Sequence, residues 1–225
     1  MGLQGILAAV MDFIYPPHCP ACGAYVEHCG AWCPDCLAKA VCVKRLPLDC
    51  DTAKWVDGAY ALGKYHGSLR DLIRGLKYHQ KTGNLLQIRA FLDACDAKLP
   101  FLQNAMVAVP VPLHKDKLRS RGYNQAERIF RDWLEAKGIA VHEALCRTRV
   151  TVPQYGLSRE ERRKNMMDAF SVTQEEFVCG KEVLLLDDIM TTGATVQACA
   201  EALRRKGAVR VLVMVLASDR RQGKV

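Results

Sequence analysis

Apolar residues recur along this chain with two periods that alternate. Residues 59–65 read as a strand, and residues 68–77 then set Leu69, Leu72, Ile73 and Leu76 on one face of a helix. Residues 85–95 continue as a second helix. Residues 106–111 (MVAVPV) are a short apolar strand bounded by Pro110 and Pro112. Residues 124–137 return to helical spacing with Ile129, Phe130, Trp133 and Leu134 inward. The apolar run 183–186 predicts a strand buried on both faces. Residues 196–206 form the helix after it, and 209–216 a terminal strand. Strand–helix alternation of this kind implies an α/β fold, a parallel sheet with helices on both faces.

The front of the chain has a different texture. Residues 3–14 carry apolar positions at 3, 6, 7, 10 and 14, the spacing of a short amphipathic helix packed on the protein. The stretch is too short to span a bilayer. It lacks the basic lead and small-residue cleavage site of a signal peptide, so the expected location is cytoplasmic. Seven of the eleven cysteines then fall within residues 19–50. This shift in composition divides the chain into an N-terminal module, 1–50, and a larger domain, 51–225. At 225 residues, half of them hydrophobic, there is ample length for a core.

The cysteines bring in the first chemistry. Cys19-Pro20-Ala21-Cys22 and Cys33-Pro34-Asp35-Cys36 are two knuckles ten residues apart. Each presents two thiolates on a tight turn, and together they complete a closed, structural Zn²⁺ site. Zinc would stabilise a segment too small for a core of its own. Disulfides would need an oxidising compartment, for which no export signal argues. Cys29, Cys42 and Cys50 are left over, either as buried thiols or as remnants of a second knuckle pair. Cys95, Cys146, Cys179 and Cys199 lie in periodic segments and are most simply core residues.

The charge balance of +8 favours phosphorylated ligands or nucleic acid as partners. One stretch gives that charge an object. The 183–186 strand runs into Asp187 and Asp188, then Thr191-Thr192-Gly193-Ala194-Thr195 at the start of a helix. Open α/β sheets bind ligands at the carboxyl ends of their strands. A small, hydroxyl-rich loop at a helix N-terminus suits a phosphate. The two acids suit ring hydroxyls, so the whole suits a sugar phosphate. A core strand followed by an Asp cap would account for one acid, but not for two followed by TTGAT.

Two further segments carry charge. After the 106–111 strand come His114, Lys115, Lys117, Arg119 and Arg121-Gly122-Tyr123-Asn124-Gln125, read as a basic loop able to meet a pyrophosphate. Residues 154–165 read as a polar loop in which Ser158 caps a charged helix, with Glu161 as its capping-box partner.

The stretch 183–195 resembles the signature of the type I phosphoribosyltransferases, which bind phosphoribosyl pyrophosphate (PRPP). Several motifs in order resemble the ComF family of competence-associated phosphoribosyltransferase-like proteins, also called GntX-like. They are the CxxC…CxxC front end, Leu76-Lys77-Tyr78, VPVPLH, RGYNQA, the string from Thr151 through Gln154, Leu157-Ser158, Glu161-Arg162 and Asn165 to Ala169-Phe170, and VLLLDDIMTTGAT. The departure is at the front, where only Cys42 and Cys50 follow the first four cysteines.

The resemblance implies a type I phosphoribosyltransferase-like sheet behind an N-terminal zinc-binding module. Asp187 and Asp188, the candidate catalytic pair, would bind the ribose hydroxyls directly or through Mg²⁺. Thr191, Thr192, Gly193, Ala194 and Thr195 would bind the 5′-phosphate, and Arg119, Arg121 and Lys77 the pyrophosphate side. Cys19, Cys22, Cys33 and Cys36 would hold zinc. Implied partners are PRPP, single-stranded DNA and competence machinery. Three functions follow: a Mg²⁺-dependent transferase with an unknown acceptor and pyrophosphate as leaving group, a DNA-handling competence factor, or a PRPP sensor without turnover. No residue presents itself as a general base.

Overall fold

A computed structural model describes residues 16–79, 81–102, 106–148 and 169–220. The predicted helix over 3–14 and most of the polar string, including Ser158 and Glu161, lie outside these residues.

The chain forms α1 (Pro34–Ala40), β1 (Val41–Arg45), α2 (Cys50–Ala53), β2 (Gly58–Gly63), α3 (Gly67–Tyr78) and α4 (Asn84–Cys95). There follow β3 (Val107–Pro110), α5 (Lys115–Arg121), α6 (Gln125–Glu135), β4 (Leu145–Arg147), β5 (Phe170–Val172), β6 (Glu182–Ile189), α7 (Ala194–Arg205) and β7 (Arg210–Ala217). The main sheet has the order β1-β2-β7-β6-β3. β2, β7, β6 and β3 run parallel, and β1 lies antiparallel on β2. β4 and β5 pair separately as an antiparallel two-stranded sheet.

The two central strands show why their sequences are almost continuously apolar. Successive side chains of a strand point to opposite faces. Leu184, Leu186, Leu212, Met214 and Leu216 enter one buried cluster, and Val183, Leu185, Val211, Val213 and Val215 enter the other. The first cluster is covered by α3, α4 and α6 through Leu69, Leu72, Ile73, Leu76, Phe91, Phe130, Trp133 and Leu134. The second is covered by α7 through Val196, Cys199, Ala200 and Leu203. Helices therefore lie on both faces, as the alternating periods predict.

Two elements depart from the sequence reading. β1, inside the cysteine-rich front, closes one edge of the main sheet, its pairing interrupted by an irregularity between Val41 and Lys44. The basic segment after β3 is a helix, α5, rather than a loop. His114 Nδ1 accepts a hydrogen bond from the Asp116 N–H at its start. Gly122 ends it at φ 83, a left-handed conformation that glycine adopts without steric cost. Arg119 and Arg121 lie in its last turn, where cations oppose the negative end of the helix dipole.

Candidate sugar-phosphate site and cysteine centre

Strand parity sends the two acids of β6 in different directions. Asp188 shares the face of Leu184 and Leu186, which α3 covers, and meets Lys77 of α3 at 2.9 Å (Oδ1) and 2.8 Å (Oδ2). Asp188 is 6% exposed. Asp187 points to the other face, towards α7, and accepts a hydrogen bond from the Asp188 N–H at 2.8 Å. Its charge is felt by the buried Cys199 thiol, which burial first and Asp187 second push upward.

The pair resists double ionisation. Burial, and then the Asp188 carboxylate, push the Asp187 carboxyl up to about 8, against the pull of Lys77 and the Asp188 N–H. Burial works against the Lys77 charge too, but Asp188, with Asp187 and Tyr65 behind it, outweighs it and leaves the ammonium pKa above its ordinary value. The arrangement is an acidic pair carrying one internal cation. Hydroxyl donors or a divalent cation would relieve it.

Beyond β6 the chain turns sharply into α7. The Ser218 hydroxyl donates to the Met190 carbonyl at 2.6 Å, and the Met190 N–H donates to the Ala217 carbonyl at 3.3 Å, so the loop is anchored on β7. Gly193 then caps α7 at φ 90, with no side-chain cap on the first turn. A Cβ there would lie 2.9 Å from Met190 Cε and 3.3 Å from Arg220 Nη1. The N–H groups of this first turn lack a side-chain acceptor, and no acid lies near them in the turn. Such an end favours an anion. Thr191 is exposed, and Thr192, Ala194 and Thr195 are partly so.

Cations gather from three other elements. Lys117 of α5 has its pKa lowered by burial and then by the charges of Arg147, Arg121 and Lys77, so all three lie within electrostatic reach of it. Arg147, at the end of β4, stacks over the Phe170 ring at 5.6 Å, and burial lowers its pKa. Of the three basic residues expected on the pyrophosphate side, Lys77 and Arg121 belong to this group. Arg119 is exposed in the last turn of α5, and no described contact ties it to the others.

Arg147 escaped the sequence reading because one arginine at the end of a three-residue strand makes no pattern. Thr52 escaped it too. It is buried on α2 with its hydroxyl unpartnered, 3.8 Å from where a Gly193 Cβ would stand.

The RGYNQ segment works as scaffold. Tyr123 donates to the Leu76 carbonyl at 2.8 Å, tying the chain to the turn of α3 that carries Lys77. Asn124 caps α6 through the Ala126 N–H at 3.0 Å and donates to the Val111 carbonyl at 2.9 Å. Buried Gln125 accepts from Arg121 Nη1 and so orients the guanidinium. The amide pair thus positions the cations.

The cysteine centre is separate. The sulfurs of Cys19, Cys22, Cys33 and Cys36 all lie within 4.8 Å of one another, and those of Cys22 and Cys33 are 3.7 Å apart. Tetrahedral zinc with bonds of about 2.3 Å would hold its sulfurs about 3.8 Å apart. Burial opposes the Cys19 thiolate, yet N–H groups of Cys22, Cys33 and Ala21 outweigh it and bring its pKa to about 6. Cys36, hydrogen-bonded first to Cys33 and crowded by the other sulfurs, is pushed up to about 12. Four thiolates therefore need a cation between them, and a zinc ion fits the donor set.

The remaining cysteines correct the sequence reading in part. Cys95 and Cys199 are buried core residues and Cys146 is half-buried, but Cys179 is exposed. Cys29 and Cys50 are exposed and Cys42 half-buried, so they are not buried thiols. No second group able to hold a metal occurs among the described residues. Nor does any helix among them have the length and apolarity to cross a membrane.

Comparison with known proteins gives the family. Residues 142–225 match the phosphoribosyl transferase domain family. The chain is 31% identical over 213 residues to competence protein F of Haemophilus influenzae, covering 89% of this chain and 84% of that protein. It is 31% identical over 204 residues to the DNA utilization protein YhgH of Escherichia coli, covering 88% and 82%. Competence protein ComFC of Streptococcus pneumoniae is 26% identical over 192 residues, covering 84% and 82%. With its mostly parallel sheet, its cysteine tetrad and this similarity over most of its length, the chain belongs to the ComF family of phosphoribosyltransferase-like proteins.

Proposed function

We propose that the chain binds PRPP with Mg²⁺ at the carboxyl end of β6 and serves DNA uptake or processing in natural competence. The observation that carries the first part is the convergence of three unlike surfaces. An acidic pair and an uncapped helix N-terminus follow one another at one strand end, and Lys77, bonded to the pair, is one of three cations whose charge reaches Lys117. PRPP has a matching part for each: ribose hydroxyls, a 5′-phosphate and a pyrophosphate.

In this reading Asp187 and Asp188 accept hydrogen bonds from the ribose hydroxyls. The N–H groups and hydroxyls of residues 191–195 hold the 5′-phosphate. Lys77, Lys117, Arg121 and Arg147 face the pyrophosphate, with Arg119 at the rim. Mg²⁺, held by the ligand's oxygens and the acidic pair, would neutralise charge on the leaving group. The chain's own contribution is to fix the anomeric carbon between the acids and the cations and to stabilise departing pyrophosphate. Lys77 is engaged by Asp188 before the ligand arrives, so ligand binding has to share or replace that contact.

The competence role is supported by the relatives named as competence and DNA utilization proteins. Zinc in the tetrad would be structural, because four thiolates leave no open position.

Calorimetric titration with PRPP and Mg²⁺ tests the reading. Saturable binding that Asp187→Ala with Asp188→Ala abolishes is the expected result, and absence of binding by the intact protein would overturn it. Pyrophosphate release during a screen of nucleobases would establish turnover. Binding without release would mark a sensor.

A further inference from the structure

A second basic surface lies on α3, reaching back to the zinc knuckle. Two cavities of about 380 Å³ and about 230 Å³ flank the first knuckle, the larger touching Pro20 and the smaller Ala21, and they share Ser68 at the start of α3. Lys39, Lys64 and His66 line the smaller, and Arg74, His79 and Lys81 the larger. The acid in this lining, Asp71, faces Arg70 at 3.2 Å. Among the described residues none of the four cations here has an acidic partner. A groove lined by one sign of charge focuses the field and raises the local concentration of anions.

We infer that this groove, between the first cysteine knuckle and α3, binds the phosphodiester backbone of single-stranded nucleic acid. Its shape argues for a strand. The twelve residues of α3 span about 18 Å at about 1.5 Å each, enough for several phosphates in a row. The two cavities follow one another along the start of α3, sharing Ser68, so a single extended backbone can pass from one to the other. Tyr78, 68% exposed between Lys77 and His79, offers a ring face on which a base can stack. The groove is distinct from the PRPP residues, although both use α3. It extends the nucleic-acid part of the proposed function by naming the surface that makes the contact.

The test is fluorescence anisotropy of the full chain with an oligothymidylate of about twenty nucleotides, longer than the ~4–16 that one binding fold covers. The variant carries Lys64→Gln, Arg74→Gln and Lys81→Gln, all exposed positions, with a thermal melt to confirm that it folds. Affinity should fall at least about tenfold, and the slope of log K against log salt should become shallower by about 2, near 0.7 for each cation removed. Tyr78→Ala should weaken binding further without changing that slope. Unchanged affinity in the triple variant overturns the inference. So does equal binding of a duplex, or binding to vesicles of phosphatidylglycerol and phosphatidylcholine with none to the oligonucleotide. PRPP titration of the same proteins keeps the two readings apart: loss of oligonucleotide binding with PRPP binding retained supports the groove, and PRPP binding by neither protein sinks only the sugar-phosphate reading.

Discussion

Lys77 Nζ lies 2.8 Å from Asp188 Oδ2, a contact between residues 111 positions apart that joins the end of α3 to the carboxyl end of β6. Both side chains are largely buried, so each is the other's main source of compensation. Lys77→Met should therefore cost on the order of 2–4 kcal/mol, because it leaves a buried carboxylate without its cation. Lys77→Met combined with Asp188→Asn should recover much of that loss. Urea denaturation of the three proteins checks both statements, and equal stability of the single variant and the parent would contradict them.

The raised pKa of Asp187 sets a pH dependence. In the unfolded chain this carboxyl returns to about 3.8, whereas in the fold burial and Asp188 hold it at about 8. The folded state thus binds the extra proton between those values, and its stability falls as pH rises through that window. Asp187→Asn should remove the dependence, so the difference between variant and parent should grow from about pH 4 to about pH 8 and then level off. A cation or hydroxyl donor binding at the pair should release protons near neutral pH. Calorimetry in buffers of different ionisation enthalpy measures that release.

Gly193 combines a positive φ with a close approach. Gly193→Ala places a methyl group 2.9 Å from Met190 Cε and forces a side chain into the left-handed region. The flexible methionine can move aside, but the backbone conformation should cost about 1–2 kcal/mol. PRPP affinity should drop by more than that stability loss implies, because the turn aims the first N–H groups of α7. Thermal melts together with PRPP titration separate the two effects.

The cation group predicts a divergence between stability and binding. Lys117→Ala removes a charge repelled by Arg147, Arg121 and Lys77, so the ligand-free protein should keep or slightly gain stability. PRPP affinity should fall about tenfold, the loss of one charge-assisted contact of about 1.4 kcal/mol. Arg147→Ala should lower affinity similarly. Reduced affinity for Arg119→Ala but for neither of these would shift the pyrophosphate side to the exposed end of α5.

Metal analysis of protein purified under reducing conditions should find one zinc per chain, held by the tetrad. Cys33→Ser should lose it and lower the melting temperature, as should prolonged chelation. Cys29→Ser and Cys50→Ser should leave the zinc content unchanged. Zinc retained by Cys33→Ser would argue against the four-sulfur site.

Much of this architecture was legible along the chain because burial there follows local periods. Leu69, Leu72, Ile73 and Leu76 share a helix face, and all four are buried in α3. The run from Val183 to Leu186 is buried on both faces of β6. The adjacent acids, the TTGAT turn and the two knuckles stand out along the chain because each is a cluster of residue types at short spacing. Arg147 and Thr52 could not. Each is a single residue whose value comes from what other segments bring beside it. α5 was misread as a loop because its seven residues bury no apolar face, leaving capping by His114 and Gly122 as its only local signals.

The sequence by itself determined most of the element types, the buried faces, the adjacent acids with the TTGAT turn, and the spacing of the four clustered thiols. These depend on residue identity at short separations. Tertiary structure alone decided which acid meets Lys77, which cations crowd Lys117, and which cations line the cavities beside the first cysteine knuckle. The sheet order β1-β2-β7-β6-β3 is the physical reason. Strands distant in sequence become neighbours, and residues with no local relation come within reach of one another's charge.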